Sequence, residues 1–310
     1  MRKLAPHGAG GPTSRWMNID GPFHYLDYGG LVDGPLLVCL HGLSGSAHTW
    51  RPIAPTLTTA GRVLAVDLVG FGRSSCAGRP VTLPANQQYL DRFLRRITAE
   101  PAILVGHSMG ATIAAMQAAL NPKTTAGLVL INPAIPWQLQ DQISPFLAAA
   151  IGASGFLVAM LPGPGRRERA RDMQQLLGDF LRIRYPGLIP AAVKIVTKGV
   201  ASTRLGDRAA DPETRAAFLS LLWTLGRRWQ FAATVRSVRA PVLLLHGDRD
   251  RMVPTGAVAA IAAANPAWQL HVARSIGHFP PLEVPDWTIS HILTWLDEEN
   301  LRHRTVDHRV

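Results

Sequence analysis

Cysteine is nearly absent: only Cys39 and Cys76 occur in 310 residues, so a disulfide framework is excluded and one bridge is the most that pairing could supply. Cys39 lies inside the apolar run LLVCL, which reads as a reduced thiol buried in a strand. Long apolar runs are missing too. The nearest, FLAAAIGASGFLVAML at 146–161, is rich in Gly and Ala and carries Ser154, so it reads as a buried helix pair or a lipid-meeting surface rather than a span of the ~18 apolar residues a bilayer requires. The start, MRKLAPHGAGGPTSRW, has basic residues but no apolar core after them, and is expected to be a frayed tail rather than a signal peptide. A cytoplasmic protein is the expectation. No Cys/His or carboxylate cluster has metal-ligand spacing, and neither a P-loop nor a dinucleotide fingerprint occurs, so no metal and no cofactor are expected.

Lysine is also scarce, supplying four of the 32 basic residues, so the formal charge of +11 is carried by arginine. A solvated, arginine-rich surface accounts for most of it. The densest patch, RRERAR at 166–171, has a second use, peripheral contact with an anionic membrane surface or acidic substrates. It has no interleaved aromatics and no zinc or RNA-binding signature beside it, so no nucleic-acid partner is expected. The oligomeric state is not legible.

What the chain has in quantity is apolar residues, 47% of the total, enough for one large core without staples. Short apolar runs alternate with helix-like segments, the pattern of a mainly parallel sheet covered on both faces. FHYLDY, after the turn DGP at 20–22, reads as an early strand, and GPLLVCLHG, RVLAVDLVG, PAILVG and AGLVLINP as four buried strands. HTWRPIAPTLTTAG, LPANQQYLDRFLRRIT and ATIAAMQAALNP have the length of covering helices. After Pro136 the strand rhythm stops, and segments such as QLQDQISPFLAAAIG and DPETRAAFLSLLWTLGRRW look helical between LPGPG, YPG and DP breaks. Strands resume with APVLLLHGD and WQLHVA, and DWTISHILTWLDEE closes the chain as a helix. The domains expected are a core at 1–134, a helical insertion at 135–235 and the rest of the core at 236–310.

Chemistry is suggested first by Gly106-His107-Ser108-Met109-Gly110, between the strand-like ILV and a run of small residues. A serine exposed on a tight strand-to-helix turn needs neighbours without bulky side chains, and Gly106, Gly110 and Ala111 meet that need. Small residues around a serine also occur where a helix packs closely on a sheet, so the pentapeptide alone is ambiguous. A serine hydroxyl requires a base oriented by a third group. LLLHGDRDRMVP ends a strand with carboxylates, of which Asp250 is the preferred acid and Asp248 the rival, and His278 follows the next strand. The order Ser, Asp, His is that of one triad fold. After the strand AGLVLI the chain has Asn132, so no carboxylate is available there. The loop His41-Gly42-Leu43 could turn the Leu43 N–H toward the elbow, where with the N–H of Met109 it would form an oxyanion hole. His41 and His107 are expected to be structural, His246 and His271 core or edge, and Asp67 a turn anchor.

On HGLSGS, DLVGFGRS, GHSMGA, GDRDRMVP and GHFPPLEVP, in that order, the chain resembles the α/β-hydrolase superfamily from about residue 16 to 298. The resemblance implies an α/β-hydrolase fold: a mostly parallel central sheet, helices on both faces and an inserted helical cap at 135–235. It implies Ser108 as nucleophile, Asp250 as acid, His278 as base, and Leu43 and Met109 as oxyanion donors. Relatives that open epoxides or displace halide carry aspartate at the elbow, so Ser108 points to acyl transfer. Hydrolysis of carboxylic esters with apolar, medium-chain or lipid-like acyl groups is the first expectation, the partner being that small-molecule or lipid-like ester. Two alternatives stand. One is a carbon–carbon bond hydrolase acting on ring-fission diketones, whose usual asparagine before the serine and tryptophan after the histidine are here His107 and Phe279. The other is a non-catalytic, ligand-binding use of the fold.

Overall fold

The computed structural model describes residues 11–43, 45–76, 78–135, 231–250 and 252–302. Nearly all of the expected cap, with the apolar stretch 146–161 and the basic patch 166–171, lies outside the described residues. The chain divides into two units, and the one made of residues 1–75, 84–137 and 230–310 carries the sheet.

That sheet has eight strands: β1 (Thr13–Asn18), β2 (Pro22–Gly29), β3 (Leu36–Leu40), β4 (Arg62–Val66), β5 (Ala102–His107), β6 (Thr125–Ile131), β7 (Val242–Gly247) and β8 (Gln269–Ala273). Their order is β1-β2-β4-β3-β5-β6-β7-β8. β1 and β2 pair antiparallel, as do β2 and β4, and every other pairing is parallel. β3, β5 and β7 are buried throughout. They are continuous apolar runs because both of their faces are covered.

Alternation along the strands divides the core in two. Leu37, Cys39, Ile103, Val105, Val129, Ile131, Leu243 and Leu245 pack with Trp50, Ile53 and Leu57 and with Ile292, Trp295 and Leu296 of the C-terminal helix. The opposite face is covered by α3 (Met109–Leu120), which contacts β5, β6 and β3. The other α-helices among the described residues are α1 (Ala54–Leu57), α2 (Leu83–Ile97), α4 (Phe231–Arg236), α5 (Thr255–Ala263), α6 (Pro280–Glu283) and α7 (Pro285–Glu298). Cys39 is a free thiol with no exposure, and burial pushes its ionisation far up. Among the described residues no helix is long and apolar enough to cross a membrane.

Two expectations need correction. The tail expected through residue 16 gives way at Thr13 to β1, which pairs residue for residue with β2 across a turn holding Asp20 and Gly21 at φ 54° and 130°. Nearly every β1 residue is exposed, so no apolar alternation marked it as a strand. The helix expected over HTWRPIAPTLTTAG is only a 3-10 turn at Ala47–Trp50 followed by the single turn α1. Pro52 and Pro55 remove two amide donors from that segment and prevent a continuous helix.

Candidate active site

The parallel strands deliver the residues of interest at their C-terminal ends. β5 passes into α3 through Ser108, whose backbone stands at φ 53°, ψ −115°, a conformation costly for any residue with a side chain. The turn is over-determined by its surroundings. The Ser108 N–H donates to the Ile131 carbonyl at 2.9 Å. A Cβ at Gly106 would stand 2.5 Å from the Ala111 Cα, and one at Gly110 would stand 2.2 Å from the Leu40 carbonyl oxygen. Both glycines are therefore required by close approach of backbone. Met109 opens α3, so its N–H has no acceptor one turn earlier.

On the far side of β6, β7 ends at Gly247 and a short turn presents Asp250, which is 6% exposed. Its Oδ1 accepts the N–H groups of Met252 at 2.8 Å and Val253 at 3.0 Å, and its Oδ2 accepts Nδ1–H of His278 at 2.7 Å. Burial pushes the Asp250 carboxyl up, but the His278 hydrogen bond and charge, the Val253 amide and the Asn132 side chain outweigh it and hold the group below its ordinary value. With its proton on Nδ1 donated to Asp250, His278 keeps the Nε2 lone pair free. The rival Asp248 is exposed, and its backbone N–H is bound to the Ala273 carbonyl. The His278 ring is on Asp250.

Three further residues brace this pair. Asn132, at φ 43°, donates Nδ2–H to Asp250 Oδ2 and to the Gly277 carbonyl at 3.2 Å. The position where the sequence lacks a carboxylate thus supports the acid it does have. Glu283 accepts the N–H of Gly277 and that of Phe279, each at 2.9 Å, clamping the backbone on both sides of His278. His107 donates Nε2–H to the His278 carbonyl at 2.7 Å, and the two rings lie 4.9 Å apart. Burial and the neighbouring His278 push His107 down to about 3, so it stays neutral. Sequence reasoning passed over Asn132 and Glu283. Their only signal was position, directly after β6 and five residues after the histidine.

The loop from β3 is held by His41, whose Nδ1–H donates to the Gly42 carbonyl at 2.7 Å while Nε2 accepts the Leu68 N–H at 3.1 Å. A Cβ on Gly42 would stand 2.9 Å from His107 Nδ1 and 3.1 Å from Ser108 Cβ, so this loop touches the elbow. Leu43 follows directly, and no acceptor for its N–H occurs among the described residues. The structure thus gathers the elbow, the Gly42–Leu43 loop and the Asp250–His278 pair. Among the described residues no hydrogen bond joins the Ser108 hydroxyl to the His278 ring. Contact between their segments runs through His107. His246 is fully buried in β7, and His271 is half-buried on the edge strand β8. Among the described residues no group of three or more His, Cys, Asp or Glu side chains could hold a metal ion.

A strained serine elbow, a carboxylate–histidine pair and a glycine loop at the C-terminal edge of a mostly parallel sheet define a hydrolase fold of the α/β type. The model of the alpha/beta hydrolase family matches residues 37–290, and the chain belongs to that family. It is 28% identical over 302 residues to the magnesium-chelatase 30 kDa subunit of Rhodobacter capsulatus, covering 96% of this chain and 95% of that one. It is likewise 28% identical over 266 residues to a pimeloyl-[acyl-carrier protein] methyl ester esterase of Aromatoleum aromaticum, covering 82% and 95%. Among solved structures, a membrane phospholipase A described as a bacterial virulence factor matches with a TM-score of 0.70 and 26% identity, over 94% of this chain and 87% of that one.

Proposed function

We propose that the protein is a serine hydrolase of carboxylic esters, with Ser108 as nucleophile, His278 as general base and acid, Asp250 as its orienting carboxylate, and the Leu43 and Met109 N–H groups as the oxyanion hole. The observation that carries the reading is the 2.7 Å bond from His278 Nδ1 to a buried Asp250, with Ser108 on its strained turn. In the first half-reaction Ser108 Oγ attacks the ester carbonyl and its proton passes to His278 Nε2. The oxyanion forms against the two backbone donors, each worth about 3–4 kcal/mol to such a transition state. Collapse expels the alcohol with the proton held on His278. Water, deprotonated by the same imidazole, then releases the acid from the acyl-Ser108.

An apolar, medium-chain or lipid-like acyl group is the substrate class we favour. It is suggested by the composition of 146–161 and LLWTL, and is consistent with relatives named as a methyl ester esterase and a phospholipase A. The basic patch at 166–171 would suit an anionic lipid surface as partner. A fluorophosphonate probe with peptide mapping, beside p-nitrophenyl esters of rising chain length, tests the reading. Adduct on Ser108 with matching loss of turnover is expected. A 100-fold preference for acetyl over octanoyl esters would remove the lipid-like substrate, and a folded protein with neither adduct nor turnover would remove the esterase.

A second reading has one observation in its favour, the match over 96% of the chain to a protein named as a magnesium-chelatase subunit. In it the fold serves within a larger assembly and its pocket binds a ligand without turnover. Full function of a Ser108→Ala variant in the host cell, with co-purification of chelatase subunits, would favour this over the esterase.

A further inference from the structure

A second serine–histidine–carboxylate array lies at the antiparallel edge of the sheet. The Ser14 hydroxyl of β1 is 2.8 Å from His24 Nε2 on β2, and His24 Nδ1 is 2.7 Å from Oδ2 of Asp67, just after β4. Three strands bring the three side chains to one face: Trp16 pairs with His24 across β1 and β2, and the Asp67 N–H donates to the His24 carbonyl at 3.0 Å. His24 is 1% and Asp67 2% exposed, whereas Ser14 faces solvent.

Asp67 accepts the N–H groups of Ala47 at 2.6 Å and Arg73 at 2.7 Å in addition to its contact with His24, so both of its oxygens are engaged and the side chain is fixed in place. Gly72, at φ 54°, is pressed so closely on this carboxylate that a Cβ there would stand 2.1 Å from it. With Nδ1–H committed to Asp67, the His24 Nε2 lone pair faces Ser14, and the hydroxyl donates to it. Arg73 Nη1 donates to Ser14 Oγ at 3.3 Å, placing a fixed positive charge where an alkoxide would form. Beside them Trp16, 53% exposed, lies tilted 60° against the His24 ring with centroids 4.8 Å apart and offers an apolar surface. A turn anchor accounts for Asp67 and His24. It does not require a solvent-facing hydroxyl on the free nitrogen of the imidazole.

We propose that Ser14 is a second nucleophilic serine, which takes an acyl group from activated aryl esters with His24 as its base. Ser14 Oγ bonds to the ester carbonyl carbon and its proton passes to His24 Nε2. The bond from that carbon to the aryl oxygen breaks, and the phenol departs with the proton returned from His24. O-acyl-Ser14 remains. The array lacks the elbow and the paired backbone donors of the Ser108 site, so acylation is slower and the adduct accumulates rather than turning over. Each missing oxyanion donor costs on the order of 100- to 1000-fold, so the gap between the two serines is expected to be at least that large.

The test uses the full chain with Ser108→Ala, treated with p-nitrophenyl acetate or a fluorophosphonate, and fragmentation that separates Thr13 from Ser14. Ser237, an exposed serine whose hydroxyl donates to the Thr234 carbonyl, serves as the reference. Expected is an adduct on Ser14 forming at least tenfold faster than on Ser237, absent from Ser108→Ala/Ser14→Ala and slowed at least threefold by Arg73→Gln. His24→Gln should abolish it. Should that buried substitution prevent folding, the exposed Arg73→Gln still decides the question. A folded Ser108→Ala protein with no adduct on Ser14, or with Ser14 no faster than Ser237, overturns the proposal. Labelling of Ser108 in the unmodified chain is read separately, so this result stands apart from the fate of the esterase reading.

Discussion

The two serine–histidine–aspartate groupings of this chain carry the same functional groups on opposite kinds of scaffold. At the edge, Ser14 lies on an extended strand and already meets its histidine at 2.8 Å, with one guanidinium nearby. In the interior, Ser108 is forced to φ 53° at the mouth of a helix, beside a glycine loop whose Leu43 amide has no acceptor among the described residues, while His278 is held by Asp250 and its backbone by Glu283 and His107. Pairing of hydroxyl and imidazole is the less demanding part of such a site. The strained turn and the donors for the oxyanion take more of the fold to build, and they distinguish a turnover site from a merely reactive one.

The sharpest way to break this comparison is Asp250→Asn. It should lower ester turnover by about 10⁴-fold through loss of the correct imidazole tautomer, with the thermal midpoint little changed. Turnover surviving that substitution would remove Asp250 as the residue that orients His278. Next is Asn132→Ala, which frees Asp250 Oδ2 of one donor and loosens the Gly277 loop. A 10- to 100-fold fall in kcat is expected, in line with the cost of small misplacements, with KM nearly unchanged in steady-state kinetics. Equal falls in kcat and kcat/KM would mark a transition-state effect, whereas a rise in KM alone would assign Asn132 to substrate binding.

Stability against pH probes the interior site in a third way. His41, His107 and His246 are all pushed down, chiefly by burial, His107 to about 3. Below roughly pH 6.5 the unfolded chain takes up protons at these positions and the native chain does not. Stability is therefore full above that pH and falls as it is lowered, by up to about 1.4 kcal/mol per pH unit for each such histidine. Thermal unfolding from pH 7.5 to 4.5 should show the decline, and His107→Gln should make it shallower. Smallest is Glu283→Gln, which keeps one acceptor of the clamp and loses the charge. A drop of about 1 kcal/mol or less in stability and a several-fold fall in kcat are expected. A fall in stability with kcat untouched would make the clamp purely structural.

Much of this architecture was written in local pattern. Buried parallel strands are continuous apolar runs, so β3, β5 and β7 stood out, and the paired glycines around Ser108 announced a tight turn whose steric need the structure bears out. β1 was hidden because an exposed edge strand has no apolar period, and the short α1 was overestimated because its prolines lie within an otherwise helix-like composition. Asn132 and Glu283 were invisible as partners of the site. Their hydrogen bonds join residues at the ends of different elements, and nothing in the chain near them says which backbone or carboxylate they will meet.

By itself the sequence determined the α/β class and the serine on its elbow, along with the order in which Asp250 and His278 follow it. Strand burial and turn sterics are local and leave their mark in composition and spacing. Only the tertiary structure decided that Asp250 rather than Asp248 meets His278, that Asn132 supports the acid, and that Ser14, His24 and Asp67 come together at the other edge. Those are distances between side chains carried on different strands, and sheet order and register set them.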